Sequence, residues 1–351
     1  MNFIIRHAVP EDSEQLIQLA SLTPMNGAIG LRIERNPDFF KLLDLSESFI
    51  ALVAENNMKQ LTGCFAATKS YLSIGDEKSV VYYLRDLKIH PRYKGTLLAY
   101  LLVKKMYEIL MERGADILCC TMALGNDAVV PFFKGRAGIP AFTEVAKYNI
   151  YQALPKHNSK FPNCEKLTNT TIIADFFNTG FKRFSIRPYK ICAGELSNCV
   201  NFSIAGKKNT EAAIAAFDPS PYKQNIVTRY SFSIAILLGM LGFLKLFFKL
   251  PFLPEKNVPL RMIYAKYYGC IENKEAYLKS LIQQLRHYAF EKKYHLVAIA
   301  ADEKDTIMNK MLKPLSSFVF RSTLLATSLQ KNEEALNKMK QGICYEDYSL
   351  V

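Results

Sequence analysis

Several kinds of feature are missing from this 351-residue sequence. Its eight cysteines include no C-x-x-C motif and no Cys/His pair at zinc spacing, so we expect reduced, buried thiols and no metal. No low-complexity run occurs, which excludes a largely disordered chain. The first residues turn acidic before any apolar run of signal-peptide length, so we expect a cytoplasmic protein.

An uninterrupted apolar stretch long enough to cross a bilayer is also missing. Residues 231–250 are almost wholly apolar, but Lys245 and Lys249 limit the uninterrupted part to residues 234–244. A span needs roughly 20 residues. Pro251 and Pro254 then end the segment. The sequence favours a buried or surface-covering helix, while an interfacial membrane helix and a true span remain open.

Positive charge is concentrated in the second half of the chain. Residues 1–154 carry 17 Lys/Arg against 16 Asp/Glu, whereas residues 155–351 carry 28 against 16. Such a surface attracts anionic lipid, nucleic acid or an acidic ligand, or serves solubility alone. The basic residues are not interleaved with aromatic residues as in a nucleic-acid module, so we place membrane contact above nucleic acid.

The first 155 residues alternate between strand and helix patterns. Helix patterns occur at 10–22, 96–113 and, briefly, 127–133, and strand patterns occur at 2–7, 49–55, 63–71, 80–89, 116–121 and 142–154. The helix at 96–113 has apolar residues at i, i+3, i+4 spacing and ends at Gly114. This order predicts an α/β fold in which parallel and antiparallel strands form one mixed sheet, as in α+β proteins.

The second half repeats this order. Strand patterns at 261–268, 296–301 and 318–326 alternate with helix patterns at 274–293 and 306–312. We therefore predict two tandem domains, 1–155 and 167–330, joined by a polar, proline-containing linker, with the apolar segment 231–250 inserted in the second. Residues 331–351 are charged, and we expect them to form a tail outside the core.

The most informative stretch is residues 83–102, where a strand ends at a proline and a basic turn opens the long helix. A helix N-terminus presents unpaired backbone N–H groups and positive dipole. Lys94 adds charge, and Gly95 allows a ligand to approach the backbone closely. The turn predicts binding of a pyrophosphate, with an ordinary strand-to-helix turn as the alternative.

This stretch resembles the coenzyme A motif of the GNAT superfamily of N-acetyltransferases, with Leu87, Ile89 and Pro91 in its L-x-V-x-P positions. The pyrophosphate loop of that family, R/Q-x-x-G-x-G/A, corresponds here to Lys94, Gly95, Thr96, Leu97, Leu98 and Ala99. Leu97 stands where the family has glycine. The segment around Asn126 resembles the one that contacts the pantetheine arm or the adjacent strand. The whole chain resembles tandem GNAT proteins with a degenerate second copy that lacks the loop.

The resemblance implies a mechanism in which a substrate amine attacks the thioester of acetyl-CoA directly. The strand N–H groups near Leu87 and Ile89 would then hold the pantetheine and polarise the thioester carbonyl. Asp86 is the candidate base, and pairing with Arg85 or another surface cation is the alternative role for this carboxylate.

The candidate acid is less well defined, because Phe132 and Phe133 stand where the family often has a tyrosine. Tyr148 is our choice and Tyr151 its alternative, although strand tyrosines often serve only packing. His90 precedes a proline and is typical of a turn.

Three functions follow from these observations. The first is N-acetyltransferase activity on a small-molecule or peptide amine, with acetyl-CoA as co-substrate. The second is a non-catalytic acyl-CoA binder or scaffold, which Leu97 and the missing tyrosine favour. The third is a peripheral membrane protein that uses residues 231–250 and the basic second half.

Overall fold

The computed structural model describes residues 3–22, 24, 29–125, 127–135, 138–157, 165–166, 169–206, 209–244, 249–315 and 318–351. In the first half, the predicted helices and strands are confirmed to within a few residues, and one unpredicted strand, β2, is added. The elements are β1 (Ile4–His7), α1 (Ser13–Ser21), β2 (Ile29–Glu34), β3 (Ser48–Glu55), β4 (Leu61–Ile74), β5 (Glu77–Ile89), α2 (Leu98–Glu112), β6 (Ile117–Ala123) and β7 (Thr143–Ala153). The short helix at Asp127–Phe133 is a 3₁₀ helix.

The second half contains the predicted strand-helix-strand unit and a set of elements before it that the sequence analysis missed. These earlier elements are β8 (Glu165–Lys166), α3 (Thr170–Gly180), β9 (Phe184–Pro188), α4 (Ala193–Leu196), β10 (Cys199–Ala205), β11 (Thr210–Phe217), β12 (Gln224–Tyr230) and α5 (Phe232–Leu244). The predicted unit and the final elements are β13 (Met262–Cys270), α6 (Glu275–Glu291), β14 (Leu296–Asp302), α7 (Thr306–Leu312), β15 (Phe318–Ser328), α8 (Glu333–Gln341) and β16 (Ile343–Cys344).

One mixed sheet runs through both halves, in the order β1-β3-β4-β5-β6-β15-β7-β14-β13-β11-β10-β8. The halves exchange strands at its centre. Strand β15 of the second half lies between β6 and β7, and β7 of the first half lies between β15 and β14. The mixed α/β fold is confirmed. The domain boundary at residues 155–167 stays a prediction, because the two halves share one sheet.

The two long helices cover the sheet with the apolar faces that their spacing predicts. Buried residues of α2 pack on β3, β4 and β5, and buried residues of α6 form the corresponding core of the second half. In α2 they include Leu98, Leu102, Met106 and Leu110, and in α6 they include Leu278, Ile282 and Leu285. Burial of these side chains supplies most of the stabilisation of each helix.

A second, two-stranded sheet joins the halves on another side of the molecule. Strands β2 and β12 pair in antiparallel register from Glu34 and Gln224 at one end to Ile29 and Tyr230 at the other. We call this pair the ribbon. Arg35 comes directly after Glu34, the last residue of β2. The ribbon therefore brings a cation from outside the main sheet to the centre of the molecule.

The expectation that residues 331–351 lie outside the core is wrong. Helix α8 buries Ala335, Leu336 and Met339 against the central core, and β16 pairs in parallel with β9. The charged residues that suggested a tail occupy the solvent side of an amphipathic helix, and the apolar residues follow its inner face.

For residues 231–250 we expected a buried or surface-covering helix, and the described part, α5, lies at the surface. Phe232, Ile236, Met240 and Phe243 are exposed there. No helix in the described part of the chain is long and apolar enough to cross a membrane.

Candidate functional site

The candidate site begins where β5 and β6 separate. These parallel strands pair only from Val81 and Ile117 to Tyr83 and Cys119, although β5 continues to Ile89 and β6 to Ala123. The Tyr83 hydroxyl accepts a hydrogen bond from the Thr121 N–H at 3.2 Å across the point of separation. Beyond it, no strand of the described residues pairs with β5 on its β6 side, so the backbone groups of β5 there can pair with a ligand.

A cavity of about 250 Å³ occupies this gap on the α2 side of the sheet, and we call it the α2 cavity. Its walls are mainly apolar and include Phe65, Leu84, Leu87, Val103, Phe132 and Phe133. Thr121 also lines it, and its buried hydroxyl oxygen has no hydrogen-bond partner among the described residues. A narrow apolar cavity with few polar groups is typical of a site for an acyl or pantetheine chain.

The predicted pyrophosphate turn lies at the end of β5, directly before α2. Lys94 (φ −61°, ψ 140°) and Gly95 (φ +81°) take the two central positions of a type II turn, which the Thr96 N–H closes on the Tyr93 carbonyl at 3.3 Å. The second central position has positive φ, which only glycine adopts without strain. Lys94 and Gly95 are exposed, so both are accessible to a ligand.

The other residues of this turn have separate roles. The Thr96 hydroxyl donates to the Tyr93 carbonyl at 2.7 Å and accepts from the Leu98 N–H at 3.3 Å. Leu98 is fully buried and anchors the helix, while Ala99 is half-buried. Leu97, at the position of the family glycine, is 72% exposed and therefore points away from the core. Asn126 lies outside the described residues.

A larger cavity, of about 530 Å³, lies beside the separating strands near the last residues of the chain, and we call it the tail cavity. Tyr83 and Cys119 line it from the main sheet, and Glu346 and Leu350 line it from the segment after β16. Arg85 lines both cavities, so its side chain is a wall that the two share. Two cavities that converge on one strand suit two substrates that meet at a reaction centre.

Asp86 does not face a ligand as a free carboxylate. Both of its oxygens accept hydrogen bonds from Arg35 at 2.7 Å, and Arg85 Nε lies 3.3 Å from Oδ2. Burial alone raises the pKa of Asp86, but Arg35, Arg85 and Lys88 together lower it below its usual range. The carboxylate pairs with Arg85, and also with Arg35, which is buried and not a surface cation; this ion pairing speaks against Asp86 as the base.

The tyrosines chosen as candidate acids lie away from both cavities. Tyr148 is 1% exposed, lines neither cavity, and its hydroxyl has no hydrogen-bond partner within the described ranges. Tyr151 donates to Asn309 at 2.6 Å in the core of the second half. His90 accepts a hydrogen bond from the Arg92 N–H at 3.2 Å, as expected of a turn residue. The positions of the two tyrosines therefore speak against both as the acid.

Glu346 and Tyr83 are the site residues that the sequence analysis missed. Glu346 lines the tail cavity, and its side chain makes no hydrogen bond or ion pair to another described residue. Burial, with a smaller contribution from Asp347, raises the pKa of Glu346 to about 8, against the opposing effect of Arg85. Burial also raises the pKa of Tyr83 well above its usual value, so its hydroxyl stays protonated.

The corresponding gap in the second half is closed. Strands β13 and β14 also pair over only three residues, ending at Tyr264 and Ala298. Tyr268, four residues further along β13, is the counterpart of Leu87, and its hydroxyl donates to the Ala300 carbonyl at 2.6 Å across the gap. Lys274, before α6, pairs with Glu211 at 3.0 Å instead of facing a free turn. This geometry favours one ligand site, in the first half.

One group of metal-ligating side chains lies outside this site. The ligand atoms of His157, His287 and Glu291 lie within 4.8 Å of one another on the surface of α6. The expectation that no metal is bound stays a prediction.

Comparison with known proteins identifies the fold. No protein-family model matches the chain, and no curated protein sequence is significantly similar to it. Among solved structures, the N-myristoyltransferase of Saccharomyces cerevisiae with bound myristoyl-CoA superposes with a TM-score of 0.65 at 11% identity, over 93% of this chain and 82% of that one. A GCN5-related N-acetyltransferase of Sphaerobacter thermophilus superposes with a TM-score of 0.58 at 10% identity, over 98% of both chains. The predicted GNAT type of fold is confirmed.

Proposed function

We propose that this protein transfers an acyl group, acetyl in the simplest case, from a coenzyme A thioester to an amine. The carrying observation is the gap between β5 and β6, which holds the α2 cavity beside the last residues of β5, the strand that precedes the exposed turn at Lys94 and Gly95. In this proposal the turn binds the pyrophosphate through the N-terminus of α2 and the Lys94 ammonium. The pantetheine runs along β5 beyond Tyr83, with the Thr121 hydroxyl as an additional polar contact.

The acceptor amine enters through the tail cavity and meets the thioester near Arg85. Its nitrogen attacks the carbonyl carbon, the C–N bond forms, and the C–S bond breaks. Glu346 takes the proton that the nitrogen releases, and the Tyr83 hydroxyl donates a proton to the departing thiolate. A base with a pKa near 8 and an acid that stays protonated at neutral pH suit these two roles.

Asp86 then acts as a positioning residue. Its carboxylate holds Arg35 and Arg85, and Arg85 also donates to the Leu350 carbonyl at 2.6 Å. The guanidinium at the junction of the two cavities is thereby fixed in place.

Calorimetric titration of acetyl-CoA and of longer acyl-CoA thioesters tests the cofactor site, with Gly95→Glu and Gly95→Gln as a matched pair. A β-carbon at Gly95 meets no atom within 4 Å, and both variants bear the same strain at φ +81°. Only the glutamate repels a pyrophosphate. We expect the Glu variant to bind at least tenfold more weakly than the Gln variant. Equal affinities of the two variants would place the ligand elsewhere.

Release of free thiol in the presence of an amine panel separates the enzyme from the non-catalytic binder. Turnover by the wild type that is lost in Glu346→Gln, while acyl-CoA affinity is unchanged, supports acyl transfer. Binding without thiol release for any amine supports the acyl-CoA-binding scaffold that Leu97 suggested.

A further inference from the structure

Helix α5 carries an exposed apolar stripe on its outer face. Phe232, Ile236, Met240 and Phe243 follow one another at helical spacing and are all exposed, Met240 by 59%. Ile234, Leu238 and Leu241 on the opposite face are half-buried. We call the four exposed residues the α5 stripe. Its thirteen-residue helix is about 20 Å long at 1.5 Å per residue, which is too short to cross a bilayer.

The helix belongs to an excursion of the chain that is fixed at its base. The Tyr230 hydroxyl donates to the Pro254 carbonyl at 2.9 Å, and the Asn257 N–H donates to the Val227 carbonyl at 2.8 Å. Residues 231–256 therefore leave and return at the same end of the ribbon. These two hydrogen bonds join the ends of the excursion to each other beside β12.

Cations lie at both ends of the excursion in the sequence. Residues 229–256 contain four Lys/Arg and one Glu. Of these cations, Arg229, Lys249 and Lys256 are exposed. Exposed apolar side chains flanked by cations are the combination that binds anionic lipid surfaces, because headgroups attract the cations while the apolar groups enter the acyl region.

We propose that the α5 stripe docks this protein on the surface of an anionic bilayer, with the helix lying in the interface. A second copy of the chain is the less favourable occupant, because pairing two stripes would bring two sets of exposed cations together. Docking of this kind is independent of acyl transfer. If the protein both docks on a bilayer and transfers an acyl group, the bilayer lies at one end of the ribbon and the reaction centre near the other. At that second end, Arg35 bonds to Asp86 and Lys223 bonds to the Val351 carbonyl.

Flotation of the full-length protein with phosphatidylcholine vesicles tests the proposal. The vesicles are made with and without about 30% phosphatidylglycerol, which gives them a negative surface potential. The variants are Met240→Asp and, as a matched control, Met58→Asp. Met58 is 74% exposed in the turn between β3 and β4, remote in sequence from α5. We expect wild type and Met58→Asp to bind the anionic vesicles, and Met240→Asp to bind at least tenfold more weakly.

Salt and oligomeric state complete the test. Binding that weakens as salt rises, and that is stronger on anionic vesicles, supports the proposal. Equal binding by the two Asp variants overturns it, as does wild type that fails to float with either vesicle. A dimer of the wild type that forms without lipid, is absent in Met240→Asp, and does not float would assign the α5 stripe to a second copy.

Discussion

Glu346 is the residue with the strongest claim to chemistry, and its pKa makes that claim testable. As a base it must be deprotonated, so the rate of acyl transfer should rise with pH up to about 8. We expect Glu346→Gln to lower kcat by roughly 10²- to 10⁴-fold and to remove this rise. Lys223, whose pKa burial lowers to about 7, titrates in the same range. The rise should therefore persist in Lys223→Met, and loss of the rise in that variant instead would contradict the assignment to Glu346.

The dependence of stability on pH provides a second test of Glu346. The folded protein retains the Glu346 proton up to pH 8, whereas the unfolded chain releases it near pH 4.5, the ordinary pKa of the group. The unfolded state thus binds fewer protons in this window, and the contribution of Glu346 to stability falls as pH rises from about 4.5 to 8. Chemical denaturation at several pH values should show a smaller decline in Glu346→Gln.

Some residues of the candidate site could be predicted from the sequence, and others could not. The turn at Lys94 and Gly95 was predictable, because a glycine after a basic residue before an apolar helix has a local conformational meaning. Glu346 was not, because its burial comes from the pairing of β16 with β9 and from the packing of α8 on the central core. Asp86 was predicted to be near the site, yet its partner Arg35 is 51 residues away in the chain.

At the scale of single elements, periodicity decided which were predictable. Helices α2 and α6 and strands β13 to β15 have strong apolar patterns and were placed to within a few residues. Strand β11, with sequence TEAAIAAF, buries mainly alanines and therefore gives little contrast between its two faces. The ribbon depends on pairing between residues almost 200 positions apart, which no local pattern indicates.

Helix α8 provides a test of packing at this scale. Leu336 is 6% exposed against the central core, so Leu336→Ala should lower the free energy of unfolding by about 2–5 kcal/mol. Leu97→Ala, at an exposed position in the turn before α2, should change this free energy by less than about 0.5 kcal/mol. Urea denaturation measures both, and similar values for the two variants would contradict the burial of α8.

The strand exchange between the halves holds the whole molecule together. Local sequence patterns cannot predict it, because the patterns of β7 and β15 are compatible with a position in either half. Residues 1–155 alone would lack β15 and leave β6 and β7 without the strand that joins them. Unpaired central edges expose backbone groups and apolar side chains to other chains. We expect the fragments 1–155 and 156–351, expressed separately, to aggregate or remain unfolded, as circular dichroism and size-exclusion chromatography would show.

The same chain cut after folding is the matched control. With a protease site inserted after His157, the nicked protein should elute as one species and unfold cooperatively, because the main sheet holds β7 and β15 on both sides of the break. Co-expression of the two fragments should restore that species for the same reason. A monomer of 1–155 that folds cooperatively would instead show that the first half is an independent domain. That result would support the boundary that the sequence predicts. It would also mean that the shared sheet forms when two folded domains dock.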